Sequence, residues 1–131
     1  MLFSILFCKL IYVNNQDFKE FIELLNVHDV ECLVVGGYAV GFYGRPRFTG
    51  DIGFWIAISK INADKILLVL KEFGFESIGV REDNFLKEDL ILQLGYEPYR
   101  IDILTSLTGV DFKKCFERKV IADLDGLRIN F

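Results

Sequence analysis

Between Leu33 and Ile58 the chain reads LVVGGYAVGFYGRPRFTGDIGFWIAI, and no other stretch constrains the fold as much. An apolar run (Leu33, Val34, Val35) ends in Gly36-Gly37. A short segment carrying Gly41 and Gly44 leads to the basic pair Arg45 and Arg47, and a second apolar run opens on Asp51. The order predicts a strand, a glycine turn, a short helix over 38–43 ended by Gly44 and Pro46, then a strand with a carboxylate at its mouth. Glycine lets a backbone come close to a ligand, and N–H groups at a turn before a helix suit phosphate oxygens. A steric role for Gly36 and Gly37 is the alternative. Strand alternation puts Asp51 and position 53 on one face. A metal site wants two carboxylates there, and the second position is Gly53.

The rest of the chain reads as helix and strand in alternation. Residues 14–29 have helical spacing, with Asn14 as cap, Asp17 in the first turn, and Phe18, Phe21, Ile22 and Leu25 on one face. His28 falls at the helix end, where it is expected to cap carbonyls. Residues 31–35 form the first buried strand. From Ile52 to Ile58 both alternating sets are mostly apolar, so this strand belongs in a sheet interior, buried on both faces. Ser59 or Asn62 caps the next helix, whose stripe is Ile66, Leu67, Val69, Leu70 and Phe73, and Gly74 stops it.

Strands are expected over 75–80, 89–94 and 99–104, with a polar loop or edge at 81–86 and a turn at 95–98. Residues 111–118 suit one or two helical turns. Asp125-Gly126, between alternating runs, is a strong hairpin signal. The expected class is therefore α+β, an α/β-type mixed sheet with flanking helices.

At 131 residues the chain has the length of one domain. An apolar N-terminal extension, 1–13, precedes the main domain, 14–131. The extension is too short to span a bilayer and lacks a basic start and a cleavage site. An extra strand or helix, or a start codon upstream of the true one, is expected instead. Thirteen phenylalanines point to a dense core or to an apolar surface that a protein partner covers. A net charge of −4 leaves no basic footprint for duplex nucleic acid, although Arg45 and Arg47 suffice for a small anion. Cys8, Cys32 and Cys115 are scattered, and with His28 they make no zinc spacing. Reduced thiols in a cytoplasmic protein are expected.

Asp102, in Arg100-Ile101-Asp102-Ile103-Leu104, is the second candidate acid. A charge inside an apolar strand is costly unless a partner or a cation meets it. A metal ion is one solution, a salt bridge to Arg100 or Arg47 is another, and an edge strand with one wet face is a third. Glu31 lies at the far end of its strand, so no nearby acid replaces the one missing at position 53. The glycines match neither the dinucleotide fingerprint nor a P-loop, which leaves a Rossmann-like nucleotide binder as an outside reading.

Taken in order, Gly36, Gly37, Ala39, Val40, Gly44, Pro46, Arg47, Thr49, Asp51, Arg100 and Asp102 make the chain resemble the nucleotidyltransferase superfamily of DNA polymerase beta. The resemblance is closer to the small bacterial nucleotidyltransferase-like proteins of toxin–antitoxin and abortive-infection systems. It runs from about Asn14 to the C-terminus. It implies a nucleotidyltransferase-like fold with Gly36 and Gly37 at the nucleotide triphosphate, Arg47 and Thr49 as further phosphate or loop contacts, and Asp51 and Asp102 as catalytic ligands of Mg²⁺. Two such ions would serve transfer of a nucleotidyl group from an NTP to a protein or RNA hydroxyl. Longer relatives continue into C-terminal helices, so a short or truncated form is expected.

Gly53 departs from the family's Asp-hydrophobic-Asp. Mg²⁺ wants near-octahedral oxygen ligands, and losing one preorganised group implies a fall in activity on the order of 10²–10³-fold. Two functions follow: a Mg²⁺-dependent nucleotidyltransferase weakened at one ligand, or a catalytically inactive member of the same fold kept as a binding or antitoxin-like module.

Overall fold

Phe18, Phe21, Ile22 and Leu25 recur on one side of helix α1 (Asn15–Val27), and burying that side sets the first layer. The computed structural model describes residues 4–8, 15–36, 50–75, 79–96, 99–124 and 126–131. The Asn14 cap, the helix expected over 38–43, and Gly37, Arg45, Arg47, Thr49 and Asp125 lie outside the described residues.

Five strands form the main sheet: β1 (Ser4–Cys8), β2 (Cys32–Val35), β3 (Asp51–Ile56), β4 (Leu90–Tyr96) and β5 (Tyr99–Leu104). Their order is β1-β4-β5-β3-β2. β1 runs parallel to β4 and β3 parallel to β5, while β4/β5 and β2/β3 are antiparallel. The class is mixed α+β, a multi-stranded sheet with flanking helices. The mixture arises within the sheet itself. The C-terminal hairpin, β6 (Ile121–Leu124) with β7 (Leu127–Asn130), is a separate two-stranded ribbon. Gly126 at φ 87 turns it, its N–H donating to Asp123 Oδ1 at 2.7 Å. Asn26 Nδ2 donates to Arg128 O at 2.8 Å and ties the ribbon to α1.

One face of the sheet carries the core. Ile52, Phe54 and Ile56 of β3, Ile101 and Ile103 of β5, and Leu92 and Leu94 of β4 are buried there against α1 and α2 (Lys60–Phe73). Phe21 sits 5.5 Å from Phe54 and 5.2 Å from Phe73, centroid to centroid. The phenylalanines among the described residues therefore go to packing: none is among the exposed large apolar side chains there, which are valines, isoleucines and leucines. On the opposite face α3 (Phe112–Glu117), capped by Asp111, covers the Trp55 end. β3 is interior to the sheet and Trp55 is buried, but Asp51 and Gly53 are only half-buried, so among the described residues this face stays open at its polar end.

Several local expectations are corrected. Of the two expected caps of α2, Ser59 fills the place, accepting from Asn62 N at 3.1 Å. Asn62 is buried and clamps two chain segments. Its Oδ1 accepts from Glu31 N at 2.8 Å, and its Nδ2 donates to Glu31 O at 3.1 Å and Ala57 O at 2.8 Å. His28 does not cap carbonyls through its ring: Nε2 meets Glu72 Oε2 at 2.8 Å, joining the end of α1 to α2. No strand forms at the described positions of 75–80. Gly79 stands at φ 77, which breaks a ladder, and Phe75 is buried in the core instead. Residues 81–86 are not a loose edge, since a 3₁₀ turn (Glu82–Leu86) drives Phe85 fully into the core. β4 runs on to Tyr96, opposite Tyr99, so the connection is shorter than the turn expected from Gly95.

Candidate functional site

The polar end of the open sheet face brings the candidate acids together. Register pairs Asp51 with Arg100 and Gly53 with Asp102 across parallel β3 and β5. Residues in register on neighbouring strands share a face, so Asp51 and Asp102 lie on one side of the sheet. A single row crosses that face as Val35, Gly53, Asp102, Gln93. Sequence reasoning did not find Gln93, because its proximity comes from the β4/β5 hairpin register rather than from any spacing.

Gly36 follows β2 at φ 83, a conformation that side chains with a Cβ rarely adopt, and nothing among the described residues lies where its Cβ would point. Since Val35 pairs with Gly53, Gly36 comes one step beyond that pair, toward Asp51. The structure thus gathers Gly36, Asp51 and Asp102 at one corner of the sheet.

Arg100 holds the two carboxylates. Its Nε donates to Asp102 Oδ1 at 2.7 Å and its Nη2 to Asp102 Oδ2 at 3.1 Å, a fork-to-fork pair. The same Nη2 lies 3.3 Å from Asp51 Oδ2. Of the solutions open for Asp102, the guanidinium supplies the salt bridge, and β5 is not an edge strand. Burial pushes the Asp102 carboxyl above the ordinary aspartate range. The hydrogen bond and charge of Arg100 pull the other way, and the charge of Asp51 adds to the rise. The carboxylate thus keeps part of its desolvation cost despite its bidentate partner.

Gly53 sits closely enclosed. A Cβ built there comes 3.2 Å from Val35 Cγ2, 3.3 Å from Val35 O and 3.6 Å from Leu104 Cδ1. A second acid on β3 would press on Val35 of the neighbouring strand, which must give by a few tenths of an ångström. No clustering of three or more His, Cys, Asp or Glu side chains suited to a metal occurs among the described residues. As arranged, the donor set does not fit Mg²⁺: both acids are held by a cation, and position 53 carries no carboxylate. Cys32, buried at the start of β2 with its thiol pushed up to about 12, offers no thiolate ligand.

Among the described residues no helix is long and apolar enough to cross a membrane. Comparison with known protein families, with curated proteins and with solved structures finds no match.

Proposed function

We propose that the chain is a nucleotidyltransferase-type domain in which Arg100 has taken the place of the catalytic cation, and that it serves as a binding, antitoxin-like module rather than as a catalyst. The observation that carries this reading is the pairing of one guanidinium with both Asp51 and Asp102. Nucleotidyl transfer depends on positioned cations that meet charge developing on the phosphate. A guanidinium already neutralised by two carboxylates cannot lend its charge to a phosphate in the same way. Gly53, with Val35 against it, removes the carboxylate that would anchor a second ion.

The fold-level part of the proposal rests on the order of Gly36, Asp51 and Asp102 and on their convergence at one sheet corner. That convergence also favours a second reading, a weak Mg²⁺-dependent transferase acting on an NTP with Asp51 and Asp102 as metal ligands. It requires Arg100 to release both carboxylates. Incubation with labelled NTPs, Mg²⁺ or Mn²⁺, and protein and RNA acceptors separates the two. The module reading expects no label on any acceptor. Label transferred by the native chain, and lost on Asp51→Asn, overturns it in favour of the transferase.

A further inference from the structure

At the other end of the open sheet face, where parallel β3 and β5 finish, a cavity of about 460 Å³ lies beside α3. Ligands of open sheets collect outside the carboxyl ends of parallel strands, and this volume falls within the range of organic-ligand sites. One wall is aromatic. Trp55 and Phe112 meet edge to face at 5.1 Å, and Phe112 stacks with Phe116 at 5.3 Å. Glu31, Glu88 and Asp111 also line the cavity, against Lys113, so the lining carries an excess of negative charge.

Trp55 is only 3% exposed, and its indole N–H has no acceptor among the described residues. A buried N–H left without a partner is costly, and a carbonyl oxygen brought by a ligand relieves that cost. The carboxylates favour a cation, and aromatic faces attract guanidinium groups in addition. We propose that this cavity binds an organic cation that also carries a carbonyl group, the chemistry of an arginine residue in a partner's chain or of a free arginine amide. The site is separate from the Asp51–Asp102 corner, and its occupation does not depend on the function proposed there.

Trp55 is the single tryptophan of the chain, so its emission reports on the cavity directly. The test titrates the native chain with N-acetyl-arginine amide, with an alanine peptide carrying one central arginine, and with N-acetyl-norleucine amide as the neutral control. The expected result is a saturable change in emission with both arginine compounds and none with the control. Tighter binding of the peptide assigns the source to a partner's chain, and equal binding assigns it to a free ligand. The Glu31→Gln/Glu88→Gln variant should weaken binding by about 3- to 10-fold, as expected for exposed charge pairs. Added salt should weaken binding of the native chain in the same direction, which tests the charge without any substitution. No saturable change in the millimolar range, equal binding of the neutral control, or binding indifferent to salt overturns the proposal.

Discussion

Arg100 and Asp102 stand two residues apart on β5, pointing to the same face, and are joined by two hydrogen bonds of 2.7 and 3.1 Å. This pair joins Asp51 to Asp102 through one nitrogen, so the three residues act as a unit rather than as two free acids. Arg100→Gln leaves both carboxylates beside each other without their guanidinium. Asp102 is 17% exposed and Asp51 35%, so the cost is below that of a fully buried pair, about 1–3 kcal/mol. Urea denaturation of the variant against the native chain measures it.

Gly53→Asp places a side chain against Val35 and a third carboxylate near Asp102. The steric part alone costs about 1–3 kcal/mol. Because Val35 Cγ2 is the atom in the way, 3.2 Å from the built Cβ, Val35→Ala should relieve part of that cost. The double variant is expected to lose less stability than the two single variants added together, and a denaturation cycle over the four proteins reads the difference.

Asp102 also sets a sign for the pH dependence. Its folded pKa is raised, mainly by burial, so the folded chain binds more protons than the unfolded chain across the window just above the ordinary aspartate value. The stability it contributes is present below that window and is lost as pH rises through the folded value. Asp102→Asn, which cannot titrate, should therefore gain on the native chain as pH rises through the window. Thermal melts of both proteins over the acid range show whether the gap moves in that direction.

Asn62→Ala removes one side chain and strands two backbone groups, the Glu31 N–H and the Ala57 carbonyl, while the Glu31 carbonyl keeps the Ala57 N–H at 3.1 Å. The expected loss is about 2–4 kcal/mol, a large part of the stability of a small domain. Asn62→Asp keeps the acceptor for Glu31 N–H and, protonated, offers one O–H in place of the two donated N–H groups. At low pH its melting temperature should fall between those of the Asn62→Ala variant and the native chain.

What the sequence disclosed and what it withheld divide along a physical line. Periodicity places α1, α2, β3 and β5 because their apolar faces repeat with the helix or strand period, and Asp125-Gly126 announces the terminal hairpin. Alternation alone is enough to put Asp51 and position 53 on one face. The partners of these residues come from register across strands far apart in the chain, which is why the Val35–Gly53 contact and the approach of Gln93 to Asp102 leave no local signal. Phe85 and Leu86 sit in an otherwise polar stretch, so the burial of Phe85 is invisible until the 3₁₀ turn aims it at the core. Asn62 looks like a helix cap because it lies in the first turn of α2, yet the segments it joins, at Glu31 and Ala57, meet only in the folded sheet.

The most direct test of the central claim is calorimetric titration of the native chain with Mg²⁺, in the presence and absence of ATP. With Arg100 already seated on Asp51 and Asp102, no Mg²⁺-dependent heat is expected, and ATP should bind no better with the ion than without it. Saturable binding of Mg²⁺ that strengthens ATP binding, and that disappears in Asp102→Asn, would contradict the account.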